Sequence, residues 1–129
     1  MSFRTTFSIV VIAVFGPANW GGAADKIRFA TEVQPLFAQR CLECHGPDKQ
    51  KGGLRLDRLD SLLKEQKSGA SAVVPGDLDK SEIIRRITSE DPDEVMPPKG
   101  GALSADEIGK LKDWVASGAA FERHWAYLP

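Results

Sequence analysis

An all-α fold is predicted for this chain, with short helices wrapped around one large apolar centre. Three observations lead there. Four segments repeat apolar residues at helical spacing and open on capping residues, at Thr31, Asp57, Asp79 and Ser104. The alternation that a half-buried strand requires is confined to Leu54-Arg55-Leu56. Long polar connections separate the helices, while Phe29, Phe37, Trp114, Phe121, Trp125 and Tyr127 are the only aromatics after residue 24. Connections beyond ~12–15 residues are uncommon in a compact domain unless they serve a function. Such a chain lacks core volume of its own.

Residues 1–24 have the pattern of a signal peptide and are set aside from the fold. Arg4 supplies a positive start, residues 7–15 form a short apolar run, and Gly22-Ala23-Ala24 offers small residues for cleavage. The run is well short of the ~20 residues that cross a bilayer, so no stable membrane span is expected after cleavage. A buried N-terminal helix is the alternative.

The first helix is expected to begin at Thr31 as N-cap with Gln34 three positions on, Pro35 in its first turn, and Val33, Leu36 and Phe37 facing inward. A second is expected from Arg58 to about Lys67, capped by Asp57, with Leu59, Leu62 and Leu63 inward and Gly69 just beyond. Asp79 with Glu82 opens a third, carrying Ile83, Ile84 and Ile87. Ser104 with Glu107 opens the fourth and clearest, with Ile108, Leu111, Trp114 and Val115 on one face and a stop at Gly118.

The 129 residues suffice for one domain. Lys and Arg total 17 against 18 for Asp and Glu, which excludes a strongly basic nucleic-acid binder and an acidic tail alike. The chain has two Cys and two His, and three of those four residues stand together as Cys41-Leu42-Glu43-Cys44-His45.

Cys-x-x-Cys-His is the attachment pattern of a c-type haem. Two thiols three positions apart at a helix end can each add to a vinyl group of one haem, and the following imidazole sits as proximal iron ligand. Attachment of this kind follows export, in keeping with the signal segment. Other readings of the five residues are a structural disulfide, a thioredoxin-like redox pair, or zinc. A redox pair would accompany a βαβ pattern, which the sequence lacks. Zinc would have to recruit His124 from the far end of the chain. Haem c, one per chain and bound through Cys41 and Cys44, is therefore expected. It would also fill the missing core.

Met96 is the candidate for the second axial position. It is the only methionine after residue 24 and stands in Val95-Met96-Pro97-Pro98, where two prolines stiffen the backbone around the thioether. Core filling is the usual role of Met, but a lone Met beside two prolines in a polar loop suits it poorly. His124, which would make the haem bis-His, is the competing ligand.

At this point the residues resemble a known family. In order, the chain shows Phe-x-x-x-Val-x-Pro-Leu-Phe, Cys-x-x-Cys-His-Gly-Pro-Asp, Lys-Gly-Gly-Leu-Arg-Leu-Asp, Val-Pro-Gly-Asp, Ile-Ile-Arg-Arg-Ile, Met-Pro-Pro and Trp-Val-x-x-Gly-Ala. This is similar to the planctomycete-type cytochrome c domain over nearly all of residues 29–121. The resemblance implies a small class I cytochrome c-like helical domain around one covalently bound haem, with its first and last helices crossing near Phe37 and Trp114. It implies haem binding at Cys41, Cys44 and His45, with Met96 as distal ligand. Residues 25–121 are then the cytochrome domain, and 122–129 a tail resembling the start of a linker to a downstream domain, so that a fragment and a free-standing relative are both open.

The expected function is single-electron transfer in the periplasm or an equivalent compartment, and not enzymatic turnover. A haem-based enzyme or sensor with an open sixth position, and a redox-silent structural haem, are the alternatives. Partners expected are a redox protein or a downstream domain, with no nucleic acid. Lys49, Lys51 and Lys99 are candidates for a basic rim at the haem edge, and Arg55 for either a propionate contact or an exposed ion pair.

Overall fold

The computed structural model describes residues 26–122. The signal segment and the tail from Arg123, which includes His124, lie outside the described residues.

A wide π-helical turn, Phe29–Val33, runs directly into helix α1, Gln34–Arg40. Pro35 lies in the first turn of α1, where its missing N–H would have had no partner. Cys41, with φ −128°, breaks the helix, and α2, Leu42–His45, resumes it for one turn. A 3₁₀ turn, Lys51–Gly53, leads to α3, Leu59–Leu63, and then α4, Glu82–Ile87. The longest helix, α5, spans Ala105–Ala116. The described residues contain no strand, only isolated bridges such as His45 to Gln50. Leu54-Arg55-Leu56 is part of a turn, because the Leu54 N–H returns to Lys51 O at 3.3 Å and the Leu56 N–H donates to His45 O at 2.8 Å. The domain is all-α, as expected.

Helix starts depart from expectation in three of four cases, each for a traceable reason. Thr31 is not a cap, since the helical path begins at Phe29, and the Glu32 carboxylate reaches back to accept the Arg28 N–H at 2.8 Å. Starting early brings the Phe29 ring into the core. Asp57 does not cap α3. Both its carboxylate oxygens accept from Arg55, at 3.0 and 2.5 Å. Helix α3 is correspondingly short and buries Leu62 alone, with Leu59 and Leu63 each 40% exposed. Asp79 does not cap α4, whose N-cap is Ser81 without a side-chain bond to the helix. The buried Ser81 hydroxyl instead accepts the Val74 N–H at 2.9 Å and lies 2.6 Å from Asp77 O, closing the turn before the helix.

Helix α5 follows its sequence closely. The Glu107 N–H donates to Ser104 Oγ at 3.2 Å and the Ser104 N–H to Glu107 Oε2 at 2.7 Å, a complete capping box. At the other end Ala119 N–H bonds Trp114 O at 2.9 Å and Gly118 N–H bonds Val115 O at 3.0 Å. That pair forms a Schellman closure, and it needs the φ of +105° that Gly118 supplies.

The core sits where α5 meets the first helical segment. Trp114 is fully buried, edge-on to Phe37 with ring centres 5.8 Å apart and planes at 88°, and 5.5 Å from Phe29. The expected contact between Phe37 and Trp114 is present. The indole N–H donates to Ala120 O at 2.8 Å and so pins the chain after the helix. Trp114→Ala should therefore cost about 3–5 kcal/mol through cavity formation, read as a lower urea midpoint.

Candidate cofactor site

The attachment residues share one face because of a single helical turn. The Cys44 and His45 N–H groups both return to Cys41 O, at 3.2 and 3.0 Å. Positions i, i+3 and i+4 of such a turn are neighbours, so Cys41, Cys44 and His45 stand side by side. Gly46 then leaves the helix in an extended conformation. A β-carbon built there would lie 2.4 Å from Leu42 O, so only glycine fits the exit. Gly46→Ala should force α2 or the turn after it to move, lowering stability by about 1–3 kcal/mol in chemical denaturation and shifting the His45 imidazole with it.

All three residues open onto a cavity of about 400 Å³, within the ~300–1,000 Å³ range of ligand sites. Met96, from the connection between α4 and α5, stands in the same wall. The rest of the wall is largely aliphatic, with Leu54, Leu56, Ile83, Ile87 and Leu103 contributing. Exposed Lys51, Lys67 and Ser68 lie at its mouth. The Met96–Pro97 bond is cis, and the Met96 N–H donates to Arg86 O at 3.0 Å.

Both cysteines are free and partly buried, and burial pushes the Cys41 thiol up to about 11. A thiol held protonated suits neither a redox pair nor a resting thiolate site, both of which need a thiolate. Burial likewise holds the His45 imidazole below its ordinary range, which favours the neutral form that ligates iron. The Lys51 and Leu54 backbone groups beside the ring favour its charged form but do not outweigh burial. Neither meets Nδ1 in hydrogen-bonding geometry, and this buried nitrogen has no partner among the described residues. Among those residues, too, no three His, Cys, Asp or Glu side chains gather as a metal cluster. Two thiols, a neutral imidazole and a thioether around an aliphatic cavity fit one haem.

Residues 41–100 match the family model described as Planctomycete cytochrome C. That segment is similar to planctomycete cytochrome c domains. The match opens on Cys41 and closes four residues past Met96, so it takes in every proposed site residue, while α1 and α5 flank it. No curated protein and no solved structure matches the chain. The likeness to that family supports haem binding. No helix among the described residues is long and apolar enough to cross a membrane.

The cytochrome site also contains residues that sequence reasoning passed over. Arg40, Lys67, Glu82 and Arg86 join Lys51 in the cavity wall. Their signal was faint, since each stands in an ordinary solvated pattern and is brought to the cavity by the turns around it. Lys49 and Lys99 are exposed and stand outside the lining residues. Of the two roles weighed for Arg55, the ion pair is present, because its guanidinium is taken up by Asp57.

Proposed function

We propose that the chain is an exported single-electron carrier. It holds one haem c through thioether bonds from Cys41 and Cys44, with His45 and Met96 as the two axial ligands. One observation carries the reading: both thiols, the imidazole and the thioether stand in the wall of the same aliphatic cavity. The bound haem would supply a one-electron couple between Fe(III) and Fe(II).

The residues of the chain do the rest. His45 and Met96, by taking both axial positions, leave no place for dioxygen, peroxide or an organic substrate. Met96 favours the reduced state more than a second imidazole would, so a comparatively high potential follows. Leu54, Leu56, Ile83 and Ile87 exclude water from the cavity, and their low polarity acts in the same direction by disfavouring the extra positive charge of the oxidised form. Lys51 and Lys67 at the mouth leave a solvent-facing side through which electrons pass to a redox protein or a linked downstream domain. With 17 basic and 18 acidic groups, the chain steers such a partner little by net charge.

The test is a spectroelectrochemical titration of protein exported by a host that matures haem c. A low-spin spectrum in both oxidation states, one reversible one-electron wave and fast exchange with a soluble mediator are expected. A high-spin oxidised spectrum that responds to added peroxide would replace the carrier with an enzyme or sensor. A haem that exchanges no electrons would leave a structural role.

A further inference from the structure

We propose that Arg86 and Arg40 are positioning residues that hold the two ends of the Met96 loop, residues 94–102, against the cofactor cavity. The inference rests on Met96 being an axial ligand. A methionine side chain has several rotatable bonds and an irregular loop has no ladder of its own, so keeping a thioether at one place costs conformational entropy. Something must fix this loop.

Arg86 fixes its start in two ways. Its backbone carbonyl accepts the Met96 N–H at 3.0 Å, and its guanidinium Nη1 donates to Glu94 O at 3.3 Å. The guanidinium is itself held by Glu82, whose Oε1 accepts from Arg86 Nε at 2.9 Å. Arg85, and after it Arg86, hold the Glu82 carboxyl below its usual range, so this anchor stays charged. Arg40 fixes the far end, donating from Nη2 to Gly101 O at 2.9 Å and to Ala102 O at 3.2 Å. Because Arg40 directly precedes Cys41, the Met96 loop and the attachment turn are tied to each other. Both arginines also line the cavity, and Arg40 Nε is buried without a hydrogen-bond partner among the described residues. These arginines lock the loop from both sides.

The test uses haem-loaded protein and reads the sulfur-to-iron charge-transfer band together with cyanide affinity in the oxidised state. Arg86→Gln should weaken the band and tighten cyanide binding about tenfold, because cyanide competes with a loosened thioether. Arg40→Gln should act in the same direction, and Arg86→Lys should restore part of the wild-type behaviour. Arg58→Gln, which removes an exposed cation paired with Asp60, should change nothing. In a Met96→Ala background, Arg86→Gln should leave cyanide affinity where Met96→Ala put it. The inference is overturned if Arg86→Gln and Arg40→Gln both lower the melting temperature while band and cyanide affinity stay at wild-type values. It is equally overturned if Arg86→Gln tightens cyanide binding as much without Met96 as with it. A Met96→Ala protein with an unchanged band would instead remove the axial assignment beneath the inference.

Discussion

Cys41→Ala combined with Cys44→Ala should leave a protein from which acid–acetone extracts all haem, whereas wild type keeps its haem through denaturation and extraction. The reason lies in the chemistry of the pair. Two thiols on one turn, facing one cavity, can form two thioether bonds, and the described wall holds no other thiol. The second effect is on folding. A cavity of about 400 Å³ left without its covalently held group deprives the aliphatic lining of packing partners, so the double variant should unfold at lower temperature than wild type. Each single variant should retain one thioether and fall between. The measurement is the pyridine haemochrome spectrum with thermal unfolding followed by far-UV circular dichroism. Haem extractable from wild type, or a colourless protein with a Cys41–Cys44 disulfide, would end the cytochrome reading.

How far the sequence foretold this arrangement depends on what each residue competes with. Ser104 and Glu107 cap α5 as read, because the nearest cation, Arg40, keeps its Nε 4.0 Å from Glu107 and spends its Nη2 on Gly101 and Ala102. Asp57 and Glu82 look equally good as capping residues but meet arginines two to four positions away, and charge-assisted bonds win over a cap. Pattern alone cannot rank those competitors. Leu59 and Leu63 were read inward by periodicity. A five-residue helix, cut short without a cap, has only one turn to bury and spends it on Leu62. That Cys41, Cys44 and His45 stand side by side was legible because their grouping is local, three residues on one turn. Met96 was singled out by its two prolines and stands in the same cavity wall, although the sequence said nothing of Arg86 beneath it. The charged cavity lining was not legible, since Arg40, Lys67, Glu82 and Arg86 come together only through the turns between α1, α3 and α4.

Met96→Ala is expected to have the largest effect on redox behaviour. Oxidised wild type should be low-spin with a weak far-red sulfur-to-iron band, and the variant should lack that band. Its potential should fall by more than about 0.1 V, a modest share of the ~0.8 V over which axial ligands set haem potentials. The direction follows from the ligand: a thioether favours the reduced state, and water or a nitrogen donor in its place does not. Cyanide and carbon monoxide, which compete with Met96 for its position, should then bind more tightly. Stability should fall too, because ligation joins loop 94–102 to the cavity and its loss leaves the loop to its protein hydrogen bonds, among them those from Arg85, Arg86 and Arg40. His124→Ala serves as the opposing arm and should leave spectrum and potential alone. If His124→Ala changed the spectrum while Met96→Ala did not, the haem would be bis-His and the potential lower. If neither substitution mattered, the sixth position would be open, and with it the enzyme or sensor reading would displace the carrier. Because Met96 is the only methionine after residue 24, loss of the band in Met96→Ala assigns it to the one methionine sulfur in residues 25–129.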